Sequence, residues 1–98
     1  MIYLVIYDIS KDSLRTKIAG RLVAAGYERI QLSVFLGLWN PKENLILWGE
    51  LQSWLAQDSL SKLFVIPLTK NNFREMQVLG GFKPDVDYWV GDLHTLFI

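Results

Sequence analysis

Residues 2–10 read Ile2-Tyr3-Leu4-Val5-Ile6-Tyr7-Asp8-Ile9-Ser10, six apolar side chains that run straight into an aspartate. The run is too short to cross a membrane, and its β-branched and aromatic residues favour a strand over a helix. A strand without polar alternation is buried on both faces, so it belongs at the centre of a sheet. Asp8 then stands where the apolar packing stops, at the carboxyl end of that strand. Such a carboxylate is well placed to hold a metal or a substrate. It also suits a plain turn, and both readings stay open at this point.

Outward from this strand the chain alternates between helical and extended patterns. Lys11 to Ala25 carries Leu14, Ile18, Leu22 and Ala25 at helical spacing, with Ser10 placed to cap the start and Gly26 the end. Lys11, Arg15, Lys17 and Arg21 face a single acid, Asp12, on this helix. Basic side chains beside a metal-type carboxylate suit a phosphate backbone. Tyr27 to Trp39 is extended throughout and reads as one bent strand or a tight hairpin. Asn40-Pro41-Lys42-Glu43 unites a cap, a first-turn proline and an acid at the third helical position, which predicts a helix from there to about Gln57. Its core stripe is Leu47, Trp48, Leu51 and Leu55, and Gly49 weakens the helix unless the glycine lets another backbone approach closely. Asp58 to Ser61 is a loop. Leu63 to Leu68 is a second apolar strand, and Pro67, which lacks an N–H, assigns it to a sheet edge. Asn71 to Leu79 predicts a short helix capped by Asn71 or Asn72 and stopped by Gly80-Gly81. The terminal Leu93 to Ile98 is too apolar to lie free and predicts a last strand.

The order is strand, helix, strand or hairpin, helix, strand, short helix, strand. With the middle segment split, this is an α+β, ferredoxin-like βαββαβ fold with an extra C-terminal strand. Two helices cover one face of a four-stranded antiparallel sheet and leave the other open. The 98 residues form one domain (1–98), with a core over 1–80 and a tail over 81–98. Hydrophobic residues make up 51% of the chain, more than so small an interior holds, which predicts a two-fold homodimer.

Composition excludes more than it assigns. There is no cysteine, hence no disulfide and no thiolate metal site. No signal-peptide pattern or membrane-length apolar run is present, so a cytoplasmic protein with no membrane partner is expected. Ten basic and ten acidic residues cancel, so net charge alone does not point to nucleic acid. Walker, HExxH, zinc and dinucleotide patterns are all missing. His94 reads as structural or solvated, and Asp85, Asp87 and Asp92 read as solvated loop acids. Asp8 remains the best candidate site. One carboxylate makes a poor magnesium site, but a two-fold axis through the open sheet faces supplies a second.

The stretches Tyr7-Asp8-Ile9-Ser10, Glu28 to Phe35 (ERIQLSVF), Ile66 to Thr69 (IPLT), Phe73-Arg74 and Val78 to Gly80 together resemble the CRISPR-associated protein two family, the small ferredoxin-like subunit of the spacer-acquisition machinery. The resemblance runs from Ile2 to Gly80. It implies a hairpin split near Leu32-Ser33 and a homodimer whose last strand crosses to the partner's sheet. It implies one magnesium ion shared by Asp8 of both subunits. It also implies a metal-dependent endonuclease acting on single-stranded RNA or double-stranded DNA without sequence preference. The family further serves as a bridge that docks on the CRISPR integrase subunit. Asp8 is the catalytic and metal residue of this reading. Arg15, Lys17 and Arg29 are its phosphate-binding residues, and Tyr7 and Phe35 match the active-site surroundings. Lys17 stands where many relatives carry a second arginine. Two other readings are a toxin-like ribonuclease related to virulence-associated protein D and a purely structural adaptor.

Overall fold

The computed structural model describes residues 1–82, 85, 88 and 89. The elements are β1 (Ile2–Asp8), α1 (Asp12–Ala24), β2 (Glu28–Gln31), β3 (Val34–Gly37), a 3-10 turn at Pro41–Glu43, α2 (Leu45–Leu55), β4 (Lys62–Leu68) and α3 (Lys70–Arg74). The strands form one antiparallel sheet in the order β2-β3-β1-β4. β1 is therefore central, as its apolar run requires, and the Pro67-bearing β4 is an edge. The extended segment does split into a hairpin, with Leu32 and Ser33 at the turn and a register shift between Arg29 and Gln31. The four-stranded antiparallel α+β architecture is the one expected from the pattern.

Alternation divides β1 between two cores. Val5 and Tyr7 join Phe35, Leu14, Ile18, Leu22, Leu47 and Leu51 under the two long helices. Ile2 and Leu36 lie on the opposite face, where Phe73 of α3 and Trp89 cover one end of the sheet. Among the described residues, nothing covers the rest of that face. Leu4 pairs with Ile66 and Ile6 with Phe64 across β1 and β4, and antiparallel partners share a face. Phe64 is 54% exposed and Ile66 40% exposed, while Leu4, Ile6 and Val34 are half-buried.

Four sequence expectations need correction. Ser10 does not cap α1: Lys11 is the N-cap and makes no side-chain capping bond. The helix expected from Pro41 is broken into two pieces. Asn40 caps only the 3-10 turn, accepting from the Lys42 amide, and Asn44 caps α2 itself, accepting from the Leu47 amide. The third helix is shorter than predicted and is capped by the Thr69 hydroxyl, which accepts from the Asn72 amide, in place of Asn71 or Asn72. The third correction has a plain cause: the helix begins at Lys70, so the cap position falls on Thr69, whose hydroxyl can serve there. Finally, the bases of α1 do not form one shared field, as shown below. Gly49 brings no backbone close, since a Cβ there meets open space. The terminal strand expected at 93–98, with His94, Asp87 and Asp92, lies outside the described residues.

Candidate functional site

Asp8 ends β1 opposite Lys62 of β4 and is exposed. By strand parity its side chain belongs to the bare face with Leu4 and Ile6. It borders a cleft of about 820 Å³ lined by Tyr7, Ile9, Arg15, Arg29, Leu32 and Ser33, with the Thr16 to Val23 side of α1 forming the far wall. Among the described residues lining this cleft, Asp8 is the sole acid and Arg15 and Arg29 are the two bases. No group of three His, Cys, Asp or Glu capable of holding a metal exists among the described residues. The described residues of one copy thus offer a hard cation in this cleft a single carboxylate. That donor suits magnesium, which takes one or two carboxylates together with water and phosphate oxygens. A second Asp8 has to come from another copy.

The two arginines are held differently. Arg15 Nη1 donates to the Ile9 carbonyl at 3.0 Å, directly after Asp8, and Nη2 pairs with the exposed Asp12. This bond ties the β1–α1 loop to the first turn of the helix. Arg29 donates to the Leu32 carbonyl from Nη2 at 2.6 Å and from Nε at 3.2 Å. Its guanidinium lies 5.5 Å from the centre of the Phe35 ring. The Tyr7 hydroxyl donates to the same Leu32 oxygen at 3.0 Å, and the Tyr7 amide donates to the Ser33 carbonyl at 3.1 Å. Tyr7 and Phe35 are both buried and pack with ring centres 5.9 Å apart. Neither is open to a ligand, and their place in the site is as its floor.

Lys17 is not brought to this cleft. Its Nζ sits 5.2 Å from the centre of the Trp54 ring on α2. Arg21 is likewise turned to α2, where Nε donates to Glu50 at 2.9 Å. Helical geometry explains the division, because residues two apart are about 200° apart around the axis. Arg15 and Lys17 therefore point away from each other, while Lys17 and Arg21 share a face. That signal was available in the sequence. The backbone carbonyl of Leu32, the hub of the site, carries no sequence signature at all. Asp85 is a turn residue: its side chain accepts from the Tyr88 amide at 3.1 Å. At the other end of α2, the Ser61 hydroxyl and then the Leu60 amide hold the Asp58 carboxyl below the usual carboxylate range, which marks a turn and not a site.

The chain is similar to known proteins along most of its length. The family model described as CRISPR associated protein Cas2 matches residues 1–76. The chain is 37% identical over 68 residues to CRISPR-associated endoribonuclease Cas2 1 of Archaeoglobus fulgidus, covering 69% of this chain and 71% of that protein. It is 34% identical over 86 residues to CRISPR-associated endoribonuclease Cas2 of Aeropyrum pernix, covering 87% of this chain and 92% of that one. The crystal structure of Streptococcus pyogenes Cas2 superposes with a TM-score of 0.65 at 26% identity, over 82% of this chain and 100% of that one.

Proposed function

The chain belongs to the CRISPR associated protein Cas2 family, and from that premise we propose that it acts in spacer acquisition as a two-fold dimer with a weak, metal-dependent phosphodiesterase site. Bridging between integrase subunits is its main role. The observation that carries this reading is the position of Asp8, an exposed carboxylate at the end of the central strand, on the apolar face that the described residues leave uncovered. Two copies meeting through that face bring two Asp8 carboxylates together without placing either in a dry core. Their mutual repulsion is relieved by a shared magnesium ion, which when bound supplies an activated water and stabilises charge on the phosphate. Arg15 is the base placed to receive the phosphate. Its pair with Asp12 is exposed and therefore weak, so a phosphate oxygen replaces it at little cost. The names of the relatives favour RNA as the cleaved strand. A supporting role for DNA follows from the same phosphate contacts, which carry no sequence information.

The dimer is tested first. An obligate interface of roughly 2,000 Å² is expected. Phe64→Glu together with Ile66→Glu places two like charges on the bare face and should give a monomer by sedimentation at micromolar concentration, where the unaltered chain is a dimer. A double variant that stays dimeric removes this face as the interface. Cleavage of single-stranded RNA with and without magnesium, by the chain and by Asp8→Asn, then tests the site, beside capture of the integrase subunit.

A further inference from the structure

The Leu32 carbonyl receives donors from two directions. The Arg29 fork reaches it with bonds of 2.6 and 3.2 Å, and the Tyr7 hydroxyl with one of 3.0 Å. A carbonyl oxygen offers two lone pairs, so this acceptor is saturated. The guanidinium is also set over the Phe35 ring, which is fully buried and so fixed in place. Held by its Nε and Nη2 edge and stacked on a ring, the guanidinium has committed one of its two forks to the turn, and its Nη1 and Nη2 edge is the one left. What the arrangement does fix is the β2–β3 turn. Leu32 and Ser33 are held against the last residues of β1, since the Ser33 carbonyl also accepts from the Tyr7 amide at 3.1 Å. Tyr7 is the residue before Asp8, and both turn residues border the Asp8 cleft.

We propose that Arg29 is a positioning residue and not a phosphate ligand: with Tyr7 it clamps the Leu32 carbonyl and thereby holds the end of β1 that aims Asp8. The inference rests on Asp8 being the working group of the site. It divides the two cleft arginines by role. Arg15 meets the phosphate, and Arg29 supports the carboxylate.

The test compares Arg29→Met, Arg15→Met, Tyr7→Phe and the Tyr7→Phe/Arg29→Met double variant in the full chain. Binding of a fluorescent single-stranded RNA without divalent ions, over a salt series, counts phosphate contacts alone. Arg15→Met should reduce the slope of log K against log salt by about 0.7, and Arg29→Met should leave it unchanged. In cleavage, Arg29→Met and Tyr7→Phe should each lower kcat by about tenfold or more with KM little altered, as a misaimed group does. The double variant should fall no further than the worse single, because both act through one carbonyl. Hydrogen exchange at the Tyr7 amide should quicken in both single variants. A slope reduced by about 0.7 in Arg29→Met makes Arg29 a phosphate ligand and overturns the proposal. So does a Tyr7 amide that exchanges no faster in Arg29→Met, whatever the cleavage result. An unaltered chain that binds RNA but never cleaves it overturns the phosphodiesterase reading instead, and exchange at Tyr7 then still decides whether Arg29 holds the turn.

Discussion

Gly37→Ala is expected to destabilise the fold by about 2–3 kcal/mol, near the upper end for overpacking a well-filled site. Gly37 closes β3, one step beyond the Glu28–Leu36 pair, so the residue across from it is Tyr27. A Cβ at Gly37 would overlap the Tyr27 ring at Cδ1 and Cε1. The ring has nowhere to go. Tyr27 is 4% exposed, its amide donates to the Leu22 carbonyl at 3.0 Å, and its hydroxyl donates to the Trp39 carbonyl at 2.7 Å. An aromatic laid over a strand glycine fills the space the glycine leaves, and here it also joins the end of α1 to the exit of β3. Denaturant unfolding should show the loss, and the cost should nearly vanish when Gly37→Ala is made in a Tyr27→Ala background. A cost that persists there has another source.

The same burial, with Tyr3 adding to it, pushes the Tyr27 hydroxyl up to about 12 from a usual value near 10. The fold therefore favours the neutral phenol. Its contribution is fully present below about pH 10 and is lost as pH rises through about 12, since the unfolded chain releases the proton first. Tyr27→Phe should lose the bond to Trp39 at neutral pH and flatten this share of the alkaline decline. An alkaline limb unchanged in the Phe variant assigns the decline to other groups.

The gross order of elements was legible because each long element rests on one-dimensional signals. β1 is apolar without interruption up to Asp8, β4 carries a proline, and α1 is followed past its cap by Gly26, whose φ of +98° suits glycine. The capping errors came from local competition between equivalent donors and acceptors. Asn40 and Asn44 each cap something, and only the three-dimensional path shows that the first serves the 3-10 turn. Ser10 has no capping role because it stands one residue before the cap position, which Lys11 occupies. The site was half legible. Asp8, Arg15, Arg29, Tyr7 and Phe35 do come together. Lys17 does not, because position around the helix axis, not spacing along it, decides the neighbours. The exposure of Phe64 and Ile66 gives a place to the apolar excess that the composition implied.

Asp8→Asn should reduce metal-dependent cleavage by about 100-fold or more while leaving the metal-free fold intact. The residue is exposed, so the substitution removes charge without opening a cavity or stranding a buried partner. Magnesium should stabilise the unaltered dimer, by about 1.4 kcal/mol at an ion concentration tenfold above its Kd, and this gain should disappear in Asp8→Asn. Without metal the order reverses. Removing two like charges that face each other should leave the Asp8→Asn dimer as stable as the original or more so. Thermal melts with magnesium and with chelator read both effects, and a magnesium response that survives in Asp8→Asn moves the ion elsewhere. The same variant ranks the two roles. A bridge needs the fold and its docking surfaces but not the carboxylate, so spacer acquisition should continue in Asp8→Asn with integrase binding unchanged. If purified protein cleaves robustly and Asp8→Asn loses cleavage and spacer acquisition together, hydrolysis is the main role, and the dimer is built around its metal and not around its partners.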